Sequence, residues 1–333
     1  MIGCAIAGFG WWGKHLAGRL AQSTSMRVGV IVEPSAERAA SARASGFRTV
    51  DHLDVAFADS GIDAVILTTP NELHEAQVIA AAAADKHVFC EKPLGLTKTS
   101  AERSVAACRK AGVVLGIGHE RRFEPAMIEV RRLVEAGALG TIMHVESDFS
   151  HDKLAAVPKG DWRRSPTSAP AAGMTGMGVH LTDLYVSMFG PVATVAALTA
   201  DRTLGWETGD VVTVQLGFAE GMTGTLSAIL KTPHFLRYHV FGSDAWVEVR
   251  NATHPDTPGG VAELTLARSG ADPLRQLYPW TDTAAANLEA FAAAIGGRAP
   301  YPFTDEQLIH NVEILEAVAE SARAQAVVRL ARE

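Results

Sequence analysis

Cysteine is scarce in this chain: three residues, Cys4, Cys90 and Cys108, among 333. They form neither a C-x-x-C pair nor an even-numbered disulfide set. Cys4 and Cys90 fall in apolar runs that read as buried strands, so they are expected to be inert small hydrophobic residues. No metal site is read from the sequence. Long apolar runs are also missing. Nothing approaches the ~20 residues of a membrane span, and the N-terminus lacks the basic leader of a signal peptide. The cytoplasm is therefore the expected compartment. Basic clusters are absent beyond the pairs Arg121-Arg122, Arg131-Arg132 and Arg163-Arg164, and the formal net charge is −7. That balance argues against non-specific binding to nucleic acid or to an anionic membrane surface. No internal repeat and no low-complexity tail interrupts the chain, which is long enough for two domains with substantial cores.

What the chain does have begins at residue 2. The apolar run Ile2 to Ala7 reads as a buried parallel strand. It leads into Gly8-Phe9-Gly10-Trp11-Trp12-Gly13, which matches the G-x-G-x-x-G turn of a dinucleotide site. The three glycines serve a tight turn, close approach of backbone to pyrophosphate, and close packing of helix on strand. The helix that follows, Trp12 to Ala21, offers unpaired N–H groups and the positive end of its dipole to the anion. A second strand, Arg27 to Val32, ends in Glu33, twenty residues beyond Gly13. An acidic side chain there is placed to accept hydrogen bonds from the adenosine ribose hydroxyls. A carboxylate would also repel a 2′-phosphate, so Glu33 favours NAD over NADP.

Strand-like and helix-like segments alternate to about residue 118, the pattern of a doubly wound parallel α/β sheet. After Gly118 the texture changes. A helix from Pro125 to Ala136 precedes the strand-like Thr141 to Phe149 and a proline-bearing loop, His151 to Ala171. A helix introduced by Gly173, Gly176 and Gly178 then runs to Phe189. Alternating segments follow at Val192–Thr199, Val211–Phe218, Met222–Leu230, Arg237–Phe241 and Trp246–Arg250. They read as an antiparallel sheet with one face solvated or free for a partner. Helices at about Ala284–Ile295 and Asp305–Gln325 close the chain. The expected organisation is a Rossmann domain over 1–120 and a second α/β domain over 121–333.

Several residues have the chemistry for a site. Lys92, in Glu91-Lys92-Pro93, lies just past the fifth strand. Ligands of open α/β sheets bind outside the carboxyl ends of the strands, and a cation there would lower the pKa of a substrate hydroxyl and orient it. Thr68-Thr69-Pro70-Asn71 and His74 leave the fourth strand at the same edge, placed for the cofactor's ribose or phosphates or simply to end the strand and cap the next helix. His180 is a candidate for proton transfer, and the glycines before it suggest close approach of a flat group such as a nicotinamide ring. Asp183 shares its helical face and is placed to orient the imidazole; a structural histidine with Asp183 as its salt-bridge partner is the alternative. Arg121, Arg122, Arg163 and Arg164 are candidates to clamp a carboxylate or polyhydroxylated substrate.

Taken in order, these motifs resemble the Gfo/Idh/MocA family, which includes glucose–fructose oxidoreductase and inositol dehydrogenases. The resemblance rests on the glycine turn with its Trp12-Gly13-Lys14-His15 continuation, Thr68 to His74, Glu91-Lys92-Pro93, Gly118 to Pro125, Trp162-Arg163, and Gly178-Val179-His180 with Asp183. It implies an N-terminal Rossmann domain and a C-terminal α/β domain whose open, mostly antiparallel sheet often forms a dimer or tetramer interface. Carried over, Lys92 polarises the substrate hydroxyl and His180 takes its proton, while hydride passes to the nicotinamide. The implied function is an NAD-dependent oxidoreductase of a sugar, cyclitol or related hydroxylated molecule. A redox-neutral, NAD-using glycosidase and a dinucleotide-binding sensor are the alternatives. One departure stands out: polyol dehydrogenases of the family usually carry an aspartate where this chain has Gly176.

Overall fold

The computed structural model describes residues 1–330. Among them the chain divides into two compact units, one of residues 1–120 with 284–309, the other of 121–283 with 310–330.

In the first unit a strand and a helix alternate. The order is β1 (Ile2–Ala7), α1 (Trp11–Leu20), β2 (Met26–Val32), α2 (Ala36–Ala44), β3 (Thr49–Val50), α3 (Leu53–Phe57), β4 (Ala64–Leu67), α4 (His74–Ala83), β5 (His87–Cys90), α5 (Lys98–Ala111) and β6 (Leu115–Ile117). The six strands are parallel in the order β3-β2-β1-β4-β5-β6. The order reverses between β1 and β4, the point of such sheets where ligands bind. Strand composition explains the burial: β1 and β4 are apolar on both faces and are buried along almost their whole length, as helices on both sides of a parallel sheet demand.

The segment Thr283–Ile295 forms a helix whose Leu288, Phe291 and Ala292 join the core of this first unit, with Cys4, Ile6, Leu16 and Phe89. The sequence reading placed that helix in the second domain. Its three apolar residues at i, i+3 and i+4 explain the difference, because they need a buried face. Gly116 of β6 supplies one: a Cβ there would stand 2.8 Å from both Phe291 and Phe89. Burying such a phenylalanine is worth about 2–3 kcal/mol. The cysteines are buried as well, and burial pushes the Cys4 and Cys108 thiols up to about 12.

The second unit holds α6 (Pro125–Glu135), β7 (Ile142–Ser150), α7 (Gly178–Phe189), β8 (Val192–Ala200), β9 (Val211–Phe218), β10 (Thr223–Ile229), β11 (Phe235–Gly242), β12 (Ala245–Asn251), β13 (Val261–Arg268) and β14 (Leu274–Pro279). The helix at 283–295 is α8; α9 (Asp305–Ala324) and β15 (Val328–Arg329) complete the described chain. The nine strands run in the order β14-β13-β12-β11-β7-β10-β9-β8-β15. All pairs are antiparallel except β10 with β7. Helix α7 packs against β7 and β10 on one face, where Tyr185 donates its hydroxyl to the Thr225 carbonyl at 2.8 Å. No helix among the described residues is long and apolar enough to cross a membrane.

Candidate functional site

At the switch point of the first sheet the glycine turn is built as a cradle. Gly8 takes φ +92° and lies against the Thr68 carbonyl, while a Cβ on Gly13 would come within 2.1 Å of the Gly8 carbonyl oxygen. The Thr68 hydroxyl sits 2.9 Å from the carbonyls of Ala7 and Gly8 and ties the turn to the end of β4. Gly10 differs from its neighbours, since a Cβ there would meet nothing within 4 Å. Gly10 is also the N-cap of α1 and provides no side-chain cap. Open space therefore stands over a helix N-terminus, which fits a dinucleotide pyrophosphate. Trp12 is half-buried and stacks on His15 with ring centroids 4.6 Å apart, whereas Trp11 is exposed.

Glu33 directly follows β2 and is buried. Its carboxylate accepts the Phe9 N–H at 2.8 Å and the Ser35 N–H at 2.9 Å, and Arg38 grips it with two nitrogens at 2.9 and 3.0 Å. Burial alone would raise its pKa, but the Arg38 hydrogen bond and the two backbone donors outweigh burial and hold it below the usual range. Arg38 had no place in the sequence reading, although it lies only five residues from Glu33.

After β4, Thr69 bonds to Gln77 at 2.5 Å, Pro70 precedes a short 3₁₀ turn at Asn71–Leu73, and Asn71 is buried. His74 is fully buried, its two ring nitrogens 2.7 Å from the Pro93 carbonyl and 3.0 Å from that of Thr69. Burial lowers its pKa in spite of those carbonyls. These contacts make His74 a tie between the segment after β4 and the segment after β5. The Lys92-Pro93 peptide is cis. Lys92 is partly exposed, and Glu91 beside it is buried so closely under Gly118 that a Cβ there would lie 2.4 Å from the carboxyl. Burial, then the charge of Glu120, pushes Glu91 up to about 8 against the pull of Lys92.

In the second unit His180 occupies the first turn of α7 and is buried, as is Asp183. The Asp183 carboxylate is held by Arg122 through two bonds of 2.8 and 2.6 Å. Arg122 thereby ties the segment before α6 to α7. Arg163 bonds to Asp161 and stacks on Trp162, and Arg164 stacks on Trp206. Arg121 pairs with Asp256 at 2.5 Å and with Glu124 at 3.1 Å. Each of these guanidinium groups thus already has a carboxylate or an indole. The glycines before His180 serve local packing: a Cβ on Gly173 would strike Met177 and Ala228, and one on Gly178 would strike Met174. At Gly176 an added Cβ would meet only Leu154, at 3.2 Å.

Phe149, at the end of β7, gathers three imidazoles around its ring, with centroids at 5.5 Å for His151, 5.6 Å for His254 and 6.3 Å for His180. The pKa of His254 is lowered to about 3, chiefly by burial. The sequence carried no local signal for the whole cluster, because His180 and His254 lie far along the chain from Phe149 and His151.

Residues 2–119 match an oxidoreductase family with an NAD-binding Rossmann fold, and residues 127–248 match the GFO/IDH/MocA C-terminal domain. A D-xylose 1-dehydrogenase (NADP(+)) of Haloferax volcanii is 32% identical over 82% of this chain and 82% of its own length. The scyllo-inositol 2-dehydrogenase (NADP(+)) of Bacillus subtilis is 26% identical, covering 82% of this chain and 80% of its own. Among solved structures, an aldose-aldose oxidoreductase from Caulobacter crescentus superposes with a TM-score of 0.86 at 26% identity, covering 99% of each chain. The chain belongs to the Gfo/Idh/MocA family of NAD(P)-dependent oxidoreductases.

Proposed function

We propose that this protein is a dehydrogenase of a neutral sugar or cyclitol, moving a hydride between a secondary carbinol carbon and NAD(P). The observation that carries this reading is the open glycine cradle at the β1/β4 switch point, in a sheet whose next strand edge presents Lys92. The activities named for the xylose and inositol dehydrogenases support the substrate class. A neutral substrate is favoured over a sugar acid because Arg121, Arg122 and Arg163 are already paired with carboxylates of the protein.

When bound, the nicotinamide supplies the two-electron acceptor for the hydride. The chain's own residues do the rest. Lys92 donates to the substrate oxygen and favours its alkoxide character. His180 takes the hydroxyl proton as the carbon–oxygen bond becomes a carbonyl, and in the reverse direction returns it. Asp183, fixed by Arg122, holds the first turn of α7 in place for that transfer. Self-association through the polar face of the nine-stranded sheet is part of the same reading.

The test is a screen of sugars, cyclitols and sugar acids with NAD and with NADP, following absorbance of the reduced nicotinamide. The variants Lys92→Met and His180→Asn are expected to lose turnover by at least about a hundredfold and to keep dinucleotide binding in a calorimeter. Normal turnover in both variants would sink the assigned roles. Turnover of a glycoside without net reduced cofactor would point to the redox-neutral chemistry instead.

A further inference from the structure

The end of β2 departs from the arrangement that gives a Rossmann enzyme its preference for NAD. A carboxylate offers about four lone-pair positions, and in Glu33 each oxygen already has two donors. Oε1 accepts from the Ser35 N–H and from Arg38 Nη2, while Oε2 accepts from the Phe9 N–H and from Arg38 Nε. A ribose diol brings two further donors and finds no acceptor unless Arg38 lets go. The Arg38 side chain is 53% exposed, so it can swing away, whereas Glu33, at 2%, cannot. The backbone donors of Phe9 and Ser35 belong to the turn and to the N-cap of α2, and they stay.

The charge at this position is altered as well. A bare carboxylate repels a 2′-phosphate, but the pair Glu33–Arg38 is neutral and its exposed half is the cation. Arginine carries five N–H donors, and two are spent on Glu33. The others suit a phosphate, for which the planar guanidinium is the preferred partner. Ser35, partly exposed three residues before Arg38, adds a hydroxyl on the same turn.

We propose that Arg38 is the cofactor-selecting residue, and that by occupying Glu33 it admits NADP(H) on terms close to those of NAD(H). The inference rests on the dinucleotide site proposed above, and it assigns a role to a residue outside the glycine turn. NAD must displace Arg38 to reach Glu33; NADP can use Arg38 where it lies.

The experiment is direct binding of NAD and of NADP, each titrated in a calorimeter against the parent protein, Arg38→Gln and Glu33→Gln, with thermal melts confirming that each variant is folded. The parent is expected to bind the two within about tenfold of each other. Arg38→Gln should tighten NAD and weaken NADP, moving their ratio towards NAD by about thirtyfold or more. Glu33→Gln should release Arg38 and move the ratio towards NADP. An unchanged ratio in Arg38→Gln, a parallel loss of both affinities, or a parent that binds NAD a hundredfold more tightly overturns the proposal and leaves the dinucleotide site standing. A parent that binds neither nucleotide overturns the site itself, and this inference with it.

Discussion

At the scale of single residues, some chemistry was readable in the sequence and some was set by neighbours far along the chain. The places of Glu33 just after β2 and of Lys92 just after β5 follow from a motif and its spacing. The partner of Asp183 and the second carboxylate held by Arg121 do not, since Arg122 lies 61 positions from Asp183 and Arg121 lies 135 from Asp256. Glu91 shows what such neighbours do. Its motif gives no hint of protonation, yet burial and Glu120 lift its pKa from 4.5 to about 8. In the unfolded chain the carboxyl loses its proton near pH 4.5; in the folded protein it keeps it to about pH 8. Between those values the folded state binds the extra proton, so stability is lost as pH rises through the window and levels off above it. The expected outcome is a melting temperature of the cofactor-free protein that declines by several degrees from pH 5 to pH 8. Glu91→Gln should abolish that contribution and melt higher at pH 8. A parent and variant with parallel melting profiles would refute the protonated carboxyl.

At the scale of elements, the first unit was legible because its signals are local: apolar runs for buried strands, glycine after a helix, and a loop motif within six residues. The second sheet was less so. Over Ala262–Leu266 strand β13 alternates buried and half-buried residues, but β14 is exposed along nearly its whole length and has no apolar face to announce it. The turn between β1 and α1 lets two glycines of one motif be separated by experiment. Gly13→Ala drives a methyl group into the Gly8 carbonyl, a backbone atom that cannot step aside. It should cost about 1–3 kcal/mol of stability and also lose dinucleotide binding. Gly10→Ala meets no protein atom. It should melt like the parent while weakening dinucleotide binding by about tenfold or more, since its methyl group occupies the space left for phosphate. Calorimetry and thermal melts on the pair check both. Equal loss of stability in the two variants would mean that the cradle is a packing feature only.

At the scale of the whole molecule, the strand register defines the face that the proposed self-association would use. Opposed residues in paired strands share a face. The pairings Leu198 with Thr213, Thr213 with Ser227, Ser227 with Asp148, Asp148 with Arg237, Arg237 with Arg250, Arg250 with Glu263 and Glu263 with Leu277 therefore trace one row across eight strands. Its ends are exposed leucines, and its middle carries both signs of charge. Beside it, His239 lies between Glu146 and Glu248, and Phe241 is opposed to Trp246. A face that holds acid and base in one row can meet a copy of itself across a two-fold axis, where each patch finds its complement. Arg237 is the centre of that face, bridging Glu146 at 2.6 Å and Asp148 at 3.3 Å. Sedimentation of the parent at micromolar concentration is expected to give a multiple of the single-chain mass. Arg237→Glu sets a fourth carboxylate beside those of Glu146, Asp148 and Glu248, with Arg250 the cation opposed to it, and should shift the distribution to the single chain, with a smaller shift in high salt than in low as repulsion is screened. A parent that sediments as one chain across the concentration range would remove self-association from the reading and leave the row as a solvated sheet face.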